Sequence, residues 1–232
     1  MDALLLTPAE TEALLLSLQV SFWGILGSLP PGIALAWLLA RRNFLGKTLL
    51  DGIIHLPLVL PPVVVGYLLL IGLGRKGVIG SVLDQWFGIV LAFNWKGAAV
   101  ASAVVAFPLV VRAIRLSLEN VDQGLEAAAR TLGAGPWRVF ATVTLPLVVP
   151  GILTGLILGF ARCLGEFGAT ITFVSNIPGQ TRTLPLALYT QTQIPGGEAA
   201  AARLCVISVV VALAALLASE LLARRVNRAL QG

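Results

Sequence analysis

EAAARTLGAGPWRVFATVTLP, residues 126 to 146, lies between two runs of almost pure hydrocarbon and decides how the rest of the chain is read. As a helix, residues 123 to 131 set Ala127, Ala128 and Ala129 between Glu126 and Arg130, an opposite-charge pair at i, i+4 in the favoured order. Gly133 and Gly135 stop that helix, and Pro136, Trp137 and Arg138 open a second segment that climbs to Leu145-Pro146. A short helix-turn-helix is therefore predicted over 123 to 144. Small residues and a glycine bend allow close backbone approach, whereas Trp137 and Phe140 are costly to expose unless something covers them. A solvated connector is the plain alternative, but a docking surface accounts for more of these residues.

The flanking runs place the chain in a membrane. Of 232 residues, 57% are hydrophobic and 12% charged, and the mean hydropathy is +0.93, against about a quarter charged in ordinary soluble domains. Thr7-Pro8-Ala9-Glu10 has the form of a capping box, so a helix starts there and runs to about Ala40. Spans are expected at about 12–40, 52–73, 97–114, 145–165 and 204–222, each near the length that crosses about 30 Å of hydrocarbon. The third is the weakest, because its uncharged part is short and Arg112 must snorkel. The fold class is an all-α integral membrane protein, with residues 1–232 forming a single transmembrane domain.

A formal charge of +5 and a pI near 9.9 do not imply nucleic acid, because the basic residues stand singly or in pairs at the ends of apolar runs. They report topology. With the amino terminus outside and the carboxyl terminus inside, ten lysines and arginines (Arg41, Arg42, Lys47, Arg112, Arg115, Arg130, Arg138, Arg224, Arg225 and Arg228) are internal. Five (Arg75, Lys76, Lys96, Arg182 and Arg203) are external. The positive-inside rule then puts residues 126 to 146 in the cytoplasm. Trp37, Trp86 and Trp95 suit interfacial anchoring. No cleavable signal is expected, since the first apolar run is long and lacks a basic leader. No internal repeat is evident, which disfavours an inverted-repeat carrier. Five spans make a thin wall around a pathway, so a homodimer is expected.

Several other residues have a functional and a structural reading. Arg162 and Glu166, one turn apart near the outer end of the fourth span, either pair structurally or line a transport path. Pro61 and Pro62, with Pro57 and Pro30-Pro31, mark kinks that either line a cavity or serve packing. His55 reads as a structural histidine, and Cys163 and Cys205 as buried inert thiols. Gly46-Lys47-Thr48 lacks the glycine a phosphate loop needs at position 41, where Arg41 stands. No catalytic or metal-binding constellation appears. The outer segment 167–203 is too long for a turn, and Thr183 is placed to cap a short helix that forms part of a receptive surface for an extracytoplasmic protein.

The stretch 126 to 146 resembles the EAA signature of ABC-importer permeases, in which three residues separate EAA from a glycine and nine more precede I-x-L-P. Ala127-Ala128-Ala129, Gly133 and Val143-Thr144-Leu145-Pro146 keep that spacing, with the glutamate one position early at Glu126 and Val143 for isoleucine. Over nearly the whole chain, HLPLVLPPVVVGYLLL (55–70), VRAIRLSLENVD (111–122), ARCLGEFGATITFVSNIPGQTRTLP (161–185) and PGGEAAAARL (195–204) are similar to permease subunits of molybdate importers. The GEFGAT segment also resembles sulfate and thiosulfate permeases. The resemblance implies a type I, MetI-like fold in the bacterial inner membrane. It implies a cytoplasmic ATPase in two copies that binds ATP and Mg, a molybdate-binding protein outside, and alternating access. Glu126, Ala127, Ala128, Ala129, Arg130, Gly133, Pro136, Trp137 and Arg138 would then couple to the ATPase, while Arg162, Glu166, Pro61 and Pro62 are candidates for the path. A sulfate, thiosulfate or tungstate permease is the nearest alternative. A gradient-driven transporter or channel is a remoter one, and the coupling loop argues against it.

Overall fold

The computed structural model describes residues 6–231; the side chains of Arg224 and Arg228, counted above toward the internal charge, lie outside the described ones. Among the described residues the regular structure is entirely helical. Helix α1 (Pro8–Arg41) opens with the expected reciprocal cap: Thr7 N donates to Glu10 Oε2 at 2.8 Å, and Glu10 N donates to Thr7 Oγ1 at 3.3 Å. It stays continuous through Pro30 and Pro31.

The second expected span is broken. Helices α2 (Lys47–Val59) and α3 (Pro62–Leu73) are separated by a bend of 116°. Each of two consecutive prolines pushes the residue before it out of the helical region, so Leu60 and Pro61 are extended, with ψ of 141° and 132°. Residues 52–73 are thus two short helices, a broken or re-entrant segment, where a single kinked span was expected. Helix α4 (Val78–Phe87) follows.

Helix α5 (Trp95–Glu119) starts at Asn94, whose Oδ1 accepts from Lys96 N at 2.7 Å and Gly97 N at 3.3 Å. Expected to be the weakest span, it is instead the most buried of the long apolar helices, and it extends five residues past the expected end. The reason lies in its small residues. Ala98, Ala99, Ala101, Ser102 and Ala106 are all buried and allow α1 to approach on one side.

Helices α6 (Gln123–Thr131) and α7 (Pro136–Val139) form the predicted helix-turn-helix, and a π turn (Phe140–Thr144) leads into α8 (Leu145–Leu164). Gly151, Gly155 and Gly159 of α8 recur every four residues and are buried against α5 and α1. At the opposite end, α9 (Gly168–Val174) packs on α3, and α10 (Leu184–Thr192) packs on α11 (Glu198–Gln231). Among the described residues four helices are long and apolar enough to cross a membrane, and the bent α2–α3 pair makes a fifth crossing if it counts as one span.

Large apolar side chains remain on the outside of every long helix, among them Leu15, Phe22, Val206, Val210 and Leu217. A water-soluble protein does not tolerate so much exposed apolar surface; lipid or neighbouring protein covers it.

Candidate functional site: an exposed docking tip and a buried ion pair

Asp122 caps α6, its Oδ1 accepting from Gly124 N at 2.8 Å. The far end closes by paired bonds, Gly133 N to Arg130 O at 3.0 Å and Ala134 N to Ala129 O at 3.1 Å, which require a left-handed residue between them. Gly133 supplies it, with φ of +85°. Pro136 then takes the first position of α7, where its missing N–H costs nothing.

The result is a knob. Leu132 is 88% exposed and Trp137 83% exposed, while Arg130, Pro136 and Arg138 are exposed around them. Ala127 and Ala128 are exposed and Ala129 half-buried, so one face of α6 is flat enough for another backbone to approach. Leu132 escaped the sequence reading. The available signal was a leucine beside a left-handed glycine, in a helix too short and too polar to bury it.

Glu126 behaves differently from the rest of the tip. Its Oε1 accepts from Arg41 Nη2 at 2.9 Å and from Thr144 Oγ1 at 2.8 Å, whereas the expected helical partner Arg130 sits 3.9 Å away with its guanidinium mostly in the open. The carboxylate is thus turned inward, toward the last residue of α1 and the start of α8. A polar cleft beside it is lined by Arg41, Arg42, Gln123 and Arg130, and Arg42 lies over the Trp37 ring at 5.7 Å.

At the other end, Arg162 Nη1 lies 2.7 Å from Glu166 Oε2, and the Glu166 side chain is only 1% exposed. Oε2 makes that ion-pair contact without hydrogen-bond alignment, while Oε1 accepts from Ala169 N at 2.8 Å at the start of α9. Pro62 belongs to the same place. A Cβ on Gly168 would lie 2.8 Å from the Pro62 Cβ, and one on Gly66 only 2.5 Å from Ala169 O. The break between α2 and α3 and the break between α8 and α9 therefore touch, which brings Glu166 and Pro62 together, with Pro61 exposed beside them. Arg162→Ala is expected to strand Glu166 as a buried charge at a cost of about 3 kcal/mol, and membrane accumulation should fall accordingly. Arg162→Ala with Glu166→Gln should restore accumulation in immunoblots of membranes. Unchanged accumulation of the single variant would contradict the buried-pair account.

Other expectations need correction. Asp51, one turn before His55, was overlooked: its Oδ1 is 3.3 Å from His55 Nδ1 and 3.0 Å from Arg115 Nη1, and Arg115 also donates to Glu119 at 2.8 Å. His55 is accordingly part of a charged cluster. No group of metal-ligating side chains occurs among the described residues. Cys163 is buried as expected, but Cys205 is exposed, on the outward side of α11. Thr183 precedes α10 without capping it; Ser17 Oγ of α1 accepts from Leu184 N at 2.7 Å instead. In the segment before α10, Thr181 Oγ1 donates to Ser175 O at 3.0 Å and accepts from Ile177 N, while Arg182 donates to Asn176 at 2.9 Å. Arg203 of α11 donates to Glu10 at 3.1 Å, tying the starts of α1 and α11.

Residues 32–228 match the family described as binding-protein-dependent transport system inner membrane component. The chain belongs to this family. As such an inner membrane component it is a multi-pass transport permease of the inner membrane with the MetI-like helical fold. The molybdenum transport system permease protein ModB of Escherichia coli K12 is 65% identical over 221 residues, which is 95% of this chain and 96% of that relative. ModB of Haemophilus influenzae is 62% identical over the same shares. Among solved structures, a bacterial ABC transporter that imports the acidic polysaccharide alginate aligns with a TM-score of 0.75 at 20% identity, over 95% of this chain and 80% of that one. At that identity it supports the fold alone.

Proposed function

We propose that this inner membrane component is the membrane-spanning permease of an ATP-driven molybdate importer. It works as a homodimer with two copies of a cytoplasmic ATPase and one extracytoplasmic molybdate-binding protein. The observation that carries the ion is the 65% identity, across nearly the full length of both chains, to a molybdenum transport permease. What supports the coupling role is the exposed Leu132 and Trp137 tip, held on a well-formed turn yet left uncovered by the described residues.

In this reading the tip faces the cytoplasm, the amino terminus lies outside, and ATP with Mg binds the partner. ATP closes the ATPase pair and draws the two α6 helices together. The membrane helices follow, and the path turns from inward to outward facing, so that oxyanion released by the binding protein can enter. Arg162 beside Glu166 and the Pro61-Pro62 break are the path candidates, and the exposed apolar faces of α8 and α11 are available to a second copy and to lipid.

The ion is tested by uptake of labelled molybdate in cells lacking their own molybdate permease, with this chain co-expressed beside its ATPase and binding protein. Uptake that survives excess sulfate is expected. Uptake abolished by sulfate would move the assignment to sulfate.

A further inference from the structure

Glu126 carries the one carboxylate of α6, and it points away from the surface that docks. Its Oε1 joins Arg41, the last residue of α1, at 2.9 Å to Thr144, the last residue of the π turn before α8, at 2.8 Å. The Arg41 and Glu126 side chains are 10% and 13% exposed, and Thr144 is buried. Arg41 Nε is buried without a partner, so the compensation of this guanidinium rests on Glu126. Charge-assisted bonds in such a place are short and directional, and a planar guanidinium adds orientation.

The backbone alone connects α6 less firmly. On one side stands the short turn at Asn120–Asp122, and on the other the bend through Gly133 and Gly135. Both α1 and α8 pack on α5, so a body that grips the ends of α1 and α8 grips the bundle.

We propose that Glu126 is a positioning residue: through Arg41 and Thr144 it locks the docking helix to the ends of α1 and α8, so that a displacement of α6 moves both as one body. This rests on the coupling role argued above. It assigns the glutamate an internal duty and leaves the partner contact to Leu132, Trp137 and the alanine face.

The experiment uses the whole complex of permease, ATPase and binding protein in proteoliposomes, and reads labelled molybdate delivered per ATP hydrolysed together with ATPase co-purification. Wild type must first show ATP-dependent uptake; failure there removes the importer reading and not this one. Glu126→Ala is expected to retain the ATPase subunit and to deliver about tenfold less molybdate per ATP. The swapped pair Arg41→Glu with Glu126→Arg should recover much of that loss. Arg41→Ala with Glu126→Ala, which leaves no lone buried charge, and the near-isosteric Glu126→Gln serve if the single alanine variant does not accumulate. Loss of the ATPase from Glu126→Ala, or a wild-type ratio in whichever of these variants accumulates, would overturn the proposal.

Discussion

Gly151→Leu is expected to remove the protein from the membrane almost completely. A Cβ at Gly151 would sit 2.2 Å from the Ser117 Cβ and 3.0 Å from Ala113 O, atoms held by the α5 backbone. At Gly155 the nearest atom is backbone, Val110 O at 3.2 Å, whereas at Gly159 it is the flexible end of Ile25 at 2.2 Å. The Gly151 and Gly155 positions of this stripe therefore cannot open without separating α8 from α5. Overpacking of this kind costs about 3 kcal/mol at the upper end of its usual range. That lowers the ratio of folded to unfolded protein about a hundredfold. Gly72→Leu, where nothing lies within 4 Å, is the matched control and should accumulate as wild type. Comparable membrane levels for both variants would show that the α5–α8 contact is not what holds the bundle.

Gly133→Asp should have the opposite profile, with normal accumulation and lost coupling. Its φ of +85° costs an L residue about 1–2 kcal/mol, less for aspartate, and there is open space around it, so the fold survives. What changes is the tip. A carboxylate enters beside Leu132, next to the surface that in the proposed complex seats in a partner with its apolar side chains desolvated. Uptake is expected to fall more than about tenfold, since a buried unpaired charge at an interface costs several kcal/mol, and the ATPase should no longer co-purify. Gly133→Ala, at least as strained but uncharged, should lose less. Normal co-purification with normal uptake in Gly133→Asp would refute the docking role.

What was legible in the sequence was local. The Thr7 capping box, the 123–131 helix stopped at Gly133 and the proline start of α7 each depend on residues within a few turns of each other, and each formed as read. The apolar runs coincide with the four long apolar helices and the bent α2–α3 pair found among the described residues. Proline pairs located the break after Val59, but the 116° angle depends on what α3 packs against, and that is α9, about a hundred residues later. Glu126 shows the same limit: its pair with the helical neighbour Arg130 is visible in sequence and forms at 3.9 Å, while the shorter contact to Arg41, 85 positions away, is not legible there. The stripe of Gly151, Gly155 and Gly159 was present in sequence at helical spacing and passed unread. It would have shown that α5 is the central helix, because small residues on one helix require a close partner. Asp51 beside His55 was likewise within reach at i−4.

The most direct measurement is molybdate uptake by the reconstituted complex with a partner ATPase that binds ATP but cannot hydrolyse it, set against the intact ATPase in the same vesicles. The account predicts accumulation against a gradient only with the intact ATPase, and none with the inactive one although both bind the permease equally. Equal uptake in the two preparations would contradict it, because the chain would then carry its substrate without the partner that residues 123–144 are built to meet.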